Sequence, residues 1–255
     1  MASKQTQRLK AKERFNTARR LEGEYTHQLR TLTEYVDHIV RVGINVNMTE
    51  QELNSARYRV EAMLTQYSEA LKPWATQTAE RIVMRVHKVD ENEWIQIGRQ
   101  MGRALRKELQ DAPTGLVTRS FMAENVKLIT SLPLDAAQRV HEMTLNGITE
   151  GTRASEIARK ILETGKVTKS RAMLIARTEV SRTATGLTRA RALHIGSEVY
   201  YWRTSGDATV RESHKVMNGR IIRWDTEPEV EPGKHYHAGC FPNCRCYPEP
   251  ILDDI

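Results

Sequence analysis

The segment HYHAGCFPNCRC, residues 235–246, contains all three cysteines of this 255-residue chain and begins with two histidines. The segment SHKVMNG, residues 213–219, precedes it and contributes His214. Cysteine sulfur and histidine nitrogen at short loop spacings are the ligands that zinc prefers in proteins. A small, loop-rich module has little apolar mass, so a metal or a disulfide is needed to stabilise it. These two segments therefore predict that the C-terminal part of the chain folds around a cross-link.

We predict a structural zinc ion in this module. Its predicted ligands are one histidine and the three cysteines: His214, Cys240, Cys244 and Cys246. Two alternatives stay open, a disulfide from Cys240 to either of the other cysteines and three buried free thiols. His235 or His237 can also replace one ligand. The N-terminus has no apolar segment typical of a secretory signal, so we expect synthesis in a reducing cytoplasm, which favours a metal over a disulfide.

The composition is typical of a helix-rich protein with much solvated surface. Hydrophobic residues make up 39% of the chain, charged residues 28% and aromatic residues 6%. Because no run approaches eighteen apolar residues, we predict no membrane span. Apolar residues recur at three- and four-residue steps and predict helices over 4–42, 50–71, 75–89, 90–109, 116–131, 134–146, 153–163 and 168–195.

Local signals mark the ends of several of these helices. Thr49 and Glu52 form a capping box before the second helix, and Asp90 is predicted to cap the fourth. Pro73 and Pro133 are predicted to interrupt the helical pattern. Asn146-Gly147 and Thr164-Gly165 are further predicted divisions between helices.

After Gly196 the pattern changes from helical to extended. Residues 198–204 predict a strand, Asn218-Gly219 a turn, and residues 220–224 a second strand. Residues 247–251 predict a last strand, which its prolines confine to an edge. The predicted fold is mainly α with a small C-terminal α+β module. We predict three regions: long helices over 1–112, a helical part over 113–195 and a Cys/His module over 196–255.

The net charge of +7 is unevenly distributed. Residues 1–22 carry seven Lys and Arg against two Glu, and residues 153–191 carry ten against three. Basic helical segments suggest contact with a polyanion such as DNA, although the same charges can simply solvate helix faces. The candidate DNA contacts are the basic residues of the first segment: Lys4, Arg8, Lys10, Lys12, Arg14, Arg19 and Arg20.

The sequence lacks the common enzyme motifs. It contains no phosphate-binding P-loop, no dinucleotide-binding glycine pattern, no nucleophile elbow and no His-Glu-x-x-His. We interpret Arg177, Glu179 and Arg182 as a structural polar set, since a buried glutamate needs nearby guanidinium groups. An alternative is a nuclease-like enzyme in which Asp207, Arg211 and His214 cleave a phosphodiester. His214 cannot be the base of such a reaction if it is a metal ligand.

An ordered series of short motifs runs through the second half of the chain. The motifs are Ala-Arg-Thr-Glu at 176–179, Trp202, Asp207 followed by Val-Arg-Glu-Ser-His at 210–214, Asn-Gly at 218–219, and Pro-Asn-Cys-Arg-Cys at 242–246. This series resembles the phage Mu F-like minor head proteins, also called the phage head morphogenesis family. The resemblance covers roughly residues 130–250. Cys240 and the two histidines at 235 and 237 go beyond the simpler His-then-Cys-x-Cys pattern.

The resemblance implies a non-enzymatic virion component, made in the host cytoplasm and placed in the head interior or at the portal vertex. It implies a role in head morphogenesis, DNA packaging or DNA delivery. The implied partners are the portal protein, the major capsid protein and packaged double-stranded DNA, contacted without sequence specificity. The alternatives are the nuclease-like enzyme and a free DNA-binding packaging factor.

Overall fold

The structure is a computed structural model that describes residues 4–101 and 112–252, with side chains described for 11–99 and 112–252. In these residues the long elements are helical, and a small sheet follows them, so the predicted mainly α fold with a C-terminal α+β module is confirmed. The helices are α1 (Lys4–Gly43), α2 (Glu50–Met101), α3 (Thr114–Thr149), α4 (Ala154–Glu163) and α5 (Gly165–His194). None of the helices in the described part of the chain is long and apolar enough to cross a membrane.

Two prolines that were predicted to interrupt helices lie inside them. Pro73 is in α2 and Pro133 is in α3. Proline removes one intrahelical hydrogen bond and its ring crowds the preceding turn, which disfavours a continuous helix. Leu71 and Ala75 are buried on either side of Pro73, and Leu132 is buried beside Pro133. Apolar packing continues on both sides of these prolines and outweighs the free-energy cost of proline inside a helix. The predicted restart at Pro73 and the predicted division at Pro133 are therefore wrong.

The start of α2 has the predicted capping box. The Glu52 backbone N–H donates to Thr49 Oγ1 at 3.3 Å, and the Thr49 N–H donates to Glu52 Oε2 at 2.8 Å. These two bonds satisfy backbone donors that the first helical turn leaves without partners. The Thr49 N–H and the Thr49 hydroxyl both donate to the Glu52 carboxylate, and these two bonds lower the pKa of Glu52.

Asp90 is not the cap of a separate helix, because it lies inside α2 and is buried. Its carboxylate accepts hydrogen bonds from Arg191 Nε at 2.8 Å and from Thr188 Oγ1 at 3.0 Å, both on α5. A buried carboxylate requires such partners. The predicted end of this helix near residue 109 lies outside the described residues.

The Asn146-Gly147 pair also does not end a helix, since α3 continues to Thr149. A Cβ added at Gly147 would lie 2.6 Å from the Ile157 side chain of α4. The glycine therefore permits close packing of α4 against α3. The last long helix begins at Gly165 rather than at residue 168.

The C-terminal module contains a three-stranded antiparallel sheet. Its strands are β1 (Val199–Thr204), β2 (Ile221–Arg223) and β5 (Cys246–Pro250), in the order β2-β1-β5. The one-turn helix α6 (Glu212–Lys215) lies between β1 and β2 along the chain, and Gly219 has the positive φ of 86° that the Asn-Gly turn requires. The three predicted strands are confirmed, with β5 at an edge as its prolines demand.

A second, two-stranded ribbon was not predicted from the sequence. It pairs β3 (Glu229–Glu231) with β4 (Lys234–His235) through a turn at Gly233. Each strand has at most three residues, and charged residues dominate both, so neither shows the alternating apolar pattern of a strand.

The contacts group the chain into two compact units. The first unit comprises residues 1–24, 80–122 and 177–255, and the second comprises 25–79 and 123–176. Each unit is assembled from separate stretches, whereas the three predicted regions are consecutive. The predicted boundaries at residues 112 and 195 therefore do not describe these two units, and they remain a prediction about functional regions.

The first unit has an aromatic core to which the C-terminal module contributes most of the residues. Its core residues are Trp94, Ile97, Ala192, Ile195, Tyr200, Trp202, Met217, Trp224, Val230, Ala238, Phe241, Cys244, Cys246 and Leu252. Trp94 and Ile97 come from α2, and Ala192 comes from α5. The module thus shares a core with helices and does not depend on its own apolar residues alone.

The regular elements of the second unit are all helices in the residues described. Its core is aliphatic and includes Leu29, Leu53, Val60, Leu64, Ile129, Val140 and Ile161. Two polar bonds lie in this unit: Tyr25 Oη donates to Asn125 Oδ1 at 2.8 Å, and Ser68 Oγ donates to the Thr130 carbonyl at 2.8 Å.

Candidate metal centre

Short, well-defined elements place the predicted metal ligands. His214 lies in α6, whose single turn is closed by hydrogen bonds from the His214 and Lys215 N–H groups to the Arg211 carbonyl. Cys246 begins β5 and pairs with Thr204 at the end of β1. Because sheet pairing fixes β5 against β1, the preceding loop must bring Cys244 to the same end of the sheet.

Three of the four predicted ligands meet. Cys244 Sγ and Cys246 Sγ each lie 3.4 Å from His214 Nδ1. The donor atoms of His214, Cys244 and Cys246, here called the donor cluster, all lie within 4.8 Å of one another. They have exposed fractions of 1%, 3% and 1%, so the cluster is closed to solvent.

Aromatic rings surround the imidazole of the donor cluster. The Trp202 ring lies edge-on to His214 with centroids 5.7 Å apart, and Phe241 does the same at 5.2 Å. His214 Nε2 is buried and has no hydrogen-bond partner among the described residues. The rings fix the orientation of the imidazole and leave Nδ1 as the nitrogen that faces both sulfurs.

The two thiols of the donor cluster have pKa values shifted in opposite directions. The pKa of Cys244 is lowered, first by the hydrogen bond from the Cys246 thiol and then by His214. The pKa of Cys246 is raised, because its proton is held by Cys244 and because it is buried. The arrangement therefore favours one thiolate, and a thiolate is the form of cysteine that binds metals.

The donor cluster fits a metal ion. In tetrahedral zinc sites with Zn–S near 2.3 Å and Zn–N near 2.0 Å, sulfur and nitrogen are about 3.5 Å apart. The distance of 3.4 Å from each sulfur to Nδ1 matches that edge. One N–H at Nδ1 can donate well to only one sulfur, whereas one cation can bind all three donors. The cluster can thus bind a metal, and it supplies three of the four ligands that zinc takes.

The structure places the other predicted ligand, Cys240, outside the donor cluster. It is a free thiol, as are the other two cysteines, and burial raises its pKa to about 12. Of the two possible replacements, His237 is buried with its Nδ1 3.2 Å from the Tyr200 hydroxyl, and His235 is exposed. Burial lowers the pKa of His237 to about 4.

The residues of the nuclease alternative have structural partners in this module. Asp207 accepts hydrogen bonds from the Thr209 N–H at 2.9 Å and from Arg245 at 3.2 Å, and the Thr209 contacts above all lower its pKa. Arg211 donates to the Pro242 carbonyl at 3.1 Å and lies over the Phe241 ring. Both side chains hold the loop that carries the cysteines, and the His214 imidazole is buried.

Sequence reasoning missed a contact between α5 and this loop. Arg177 donates to Asn243 Oδ1, and the Asn243 N–H donates to Thr178 Oγ1 at 3.1 Å. Both partners belong to the sequence motifs that carried the resemblance, Ala-Arg-Thr-Glu and Pro-Asn-Cys-Arg-Cys. The presence of both residues in these motifs is the signal from which the contact could have been predicted. The spacing of the motifs does not specify which atoms meet.

The predicted polar set divides between two places. Arg182 donates to Glu179 Oε1 at 2.9 Å, and Glu179 is buried. Arg177 instead pairs with Glu22 of α1 at 3.7 Å and with Asn243. Burial raises the pKa of Glu22 to about 7, against the opposing effect of Arg177.

The candidate DNA contacts differ in exposure. Lys12 and Arg20 are exposed, and Arg19 is half-buried. Arg14 is buried, with its guanidinium 5.7 Å from the centre of the Trp94 ring, so it presents no charge to a phosphate in this structure. The side chains of Lys4, Arg8 and Lys10 lie outside the described residues.

Comparison with known proteins gives a match for the C-terminal region. Residues 138–248 match the family described as Phage Mu protein F like protein, and this range includes every motif that carried the resemblance. The resemblance is therefore confirmed over these residues, which form a phage Mu F-like region. No solved structure matches the chain.

Three curated proteins are similar to parts of the chain. An uncharacterized protein of Haemophilus influenzae is 34% identical over 135 residues, which are 53% of this chain and 29% of that protein. An uncharacterized protein of Methanocaldococcus jannaschii is 32% identical over 118 residues, 46% and 18% of the two lengths. The NAD(+)--arginine ADP-ribosyltransferase EFV of Enterococcus faecalis is 30% identical over 132 residues, 48% and 27%. The alignments thus span less than a third of each relative.

Proposed function

We propose that this chain is a structural minor head protein of a tailed bacteriophage, acting in head morphogenesis at the portal vertex. The observation that carries the proposal is where the motifs of the Mu F-like region meet. Arg177, Asp207 and Arg211 contact the cysteine-bearing loop, and His214 faces both of its buried sulfurs. The matched region thus builds one closed centre rather than an open cleft, as a structural protein requires.

The metal in this proposal is zinc, and its role is structural. A catalytic zinc keeps one position open to water or substrate, whereas the donor cluster is buried on all sides. Bound zinc would tie α6, the loop and β5 to one another. We expect about one zinc per chain in purified protein.

DNA contact is the second part of the proposal, and it rests on exposed positive charge. Lys12 and Arg20 on α1 are available to phosphate, and Arg19 is partly so. Contacts of this kind are independent of base sequence and weaken steeply as salt rises. We assign the N-terminal region, residues 1–112, to contact with packaged DNA or the portal.

The proposed partners are the portal protein, the major capsid protein and packaged double-stranded DNA, and the proposed location is the virion. The test is a phage that carries either His214→Ala or His235→Ala. His235 is the matched control, because it is an exposed histidine of the same module. We expect His214→Ala to remove the protein from purified heads or to yield defective heads, and His235→Ala to leave both unchanged.

Two results would contradict the proposal. The first is that the wild-type protein is absent from particles and never purifies with portal or capsid protein. Alternatively, the purified protein would nick plasmid DNA in a manner that His214→Ala abolishes, which would restore the nuclease-like enzyme. Salt-dependent DNA binding by a protein that is missing from particles would instead favour a free packaging factor.

A further inference from the structure

Asn243 has an unusual backbone conformation directly before a cysteine of the donor cluster. Its φ is 57°, and it is the one non-glycine residue with positive φ among the described residues. This left-handed region is disfavoured for residues with a Cβ, and asparagine is among those that tolerate it best. The conformation matters because the residue that follows is Cys244, so the Asn243 dihedral angles help to set the direction of the Cys244 side chain.

Two side chains of α5 hold Asn243 in this conformation from opposite ends of the residue. Thr178 Oγ1 accepts the Asn243 backbone N–H at 3.1 Å, and Arg177 donates to the Asn243 side-chain oxygen. Thr178 is buried, with 8% of its surface exposed, whereas Asn243 is exposed. No apolar packing of Asn243 itself therefore explains why the left-handed conformation persists.

We propose that Arg177 and Thr178 are positioning residues of the metal centre, which hold Asn243 in the left-handed conformation and thereby aim Cys244 Sγ at His214 Nδ1. The inference rests on the proposed metal site and extends it to residues that touch no ligand atom. Groups that hold metal ligands in place commonly contribute about tenfold to a hundredfold in metal affinity. The arginine and threonine of the Ala-Arg-Thr-Glu motif thus acquire a specific role.

Backbone conformation is tested most directly at Asn243. Asn243→Gly keeps access to positive φ, whereas Asn243→Ala does not, and both lose the side-chain oxygen. We expect zinc affinity to fall about tenfold in Asn243→Ala and to stay within about twofold of wild type in Asn243→Gly. Affinity is measured by competition with a chromophoric chelator on the full chain.

The threonine is tested with a matched pair. Thr178→Val removes the acceptor at nearly constant shape, and Thr178→Ser retains it. We expect about a tenfold loss of zinc affinity in the first and recovery in the second. Thr188→Val is the control, because Thr188 is a buried hydroxyl of the same helix that bonds Asp90 rather than the loop. Thr188→Val should lower the melting temperature without changing zinc affinity.

The arginine needs a double-mutant test, because Arg177 also pairs with Glu22. Arg177→Gln should weaken zinc binding in the wild-type background and have little further effect in the Asn243→Gly background. An equal loss in both backgrounds would mean that Arg177 acts through Glu22, and it would overturn the role proposed for Arg177.

Cobalt(II) absorption separates failure of this inference from failure of the metal site. Thiolate-to-cobalt charge transfer in wild type would establish the site. If wild type shows that signal and Asn243→Ala and Thr178→Val bind as tightly as wild type, the positioning role is overturned and the metal site stands. If wild type binds neither zinc nor cobalt, the metal site is overturned and the positioning role falls with it.

Discussion

The two halves of the Cys/His-rich segment, residues 235–240 and 241–246, both carry possible metal ligands but have different surroundings. In the second half, Cys244 and Cys246 face His214 and form a buried donor cluster. In the first half, His235 is exposed, and His237 lies against the Tyr200 and Trp224 rings. Cys240 stays apart from the donor cluster. Residue type alone therefore does not decide which side chains become ligands.

Strand pairing accounts for the difference. The second half leads into β5, which pairs with β1 so that Cys246 lies opposite Thr204. The first half is held against α5 instead, where Thr185 Oγ1 donates to the Ala238 carbonyl at 2.8 Å. A Cβ at Gly239 would lie 2.7 Å from Thr185 Oγ1, and its φ of 87° also favours glycine. Only the second half leads into the three-stranded sheet, although Asn243 within it also bonds α5.

The largest predicted effect comes from removing one member of the donor cluster. We expect Cys246→Ser to lose the bound zinc and to lower the free energy of unfolding of the first unit by about 4 kcal/mol, the contribution of a ligand present at a thousand times its Kd. Elemental analysis and thermal melting with and without a chelator provide the measurement. A chelator that leaves the wild-type melting temperature unchanged would show that no metal stabilises this unit.

A matched change in the first half of the segment sharpens that test. His235→Ala alters an exposed histidine whose Nδ1 lies 3.3 Å from the Glu227 carbonyl. We expect full zinc content and a change of less than about 0.5 kcal/mol, as is usual for surface substitutions. If His235→Ala lost zinc as Cys246→Ser does, both halves would supply ligands.

The sequence predicted the features that depend on neighbouring residues. The capping box at Thr49 and Glu52 and the strand at 198–204 are specified within a few residues, and both are present. Residues 242–246 also identified the region of the site. His214, thirty residues before Cys244, lies beside both sulfurs of the donor cluster, and its role as a metal ligand stays a prediction.

Features that depend on distant partners could not be predicted. Pro73 lies within α2 because the helix is packed on both sides of it, which local propensity does not record. Asp90 meets Arg191 across 101 residues, and Arg177 meets Asn243 across 66. The position of Cys240 outside the donor cluster likewise depends on which strand or helix each half of the segment contacts, and no spacing rule contains that information.

A smaller effect on the free energy of unfolding is predicted when the pH is lowered, and it arises from His237 in the first half of the segment. Burial, and next the charge of Arg189, lowers the pKa of His237 from its ordinary 6.5 to about 4. The unfolded chain therefore binds a proton near pH 6 that the folded chain does not. The contribution of His237 to stability is constant above about pH 6.5 and falls progressively as the pH drops from there to about 4.

His237→Gln tests this dependence, because glutamine does not titrate. The free energy of unfolding of wild type and variant is measured by urea denaturation from pH 7 to pH 4 with a chelator present. Since the donor cluster titrates in both proteins, the difference between the two curves isolates His237. We expect wild type to lose more stability than the variant on acidification, and parallel curves would mean that His237 has the same pKa in the folded and the unfolded chain.

The last prediction concerns Cys240→Ser, which separates the two halves most directly. Because Cys240 lies outside the donor cluster, we expect zinc content equal to wild type. The serine hydroxyl takes the place of a half-buried thiol whose pKa is raised to about 12, so a cost of about 1 kcal/mol is expected from burying a more polar group. Cys240→Ala buries no polar atom. Apart from the small cavity that it leaves, we expect it to lower the free energy of unfolding by no more than Cys240→Ser does. If Cys240→Ser instead released the metal as fully as Cys246→Ser, Cys240 would be the fourth ligand that the sequence predicted, and the first half of the segment would have to move toward the sheet to bind zinc.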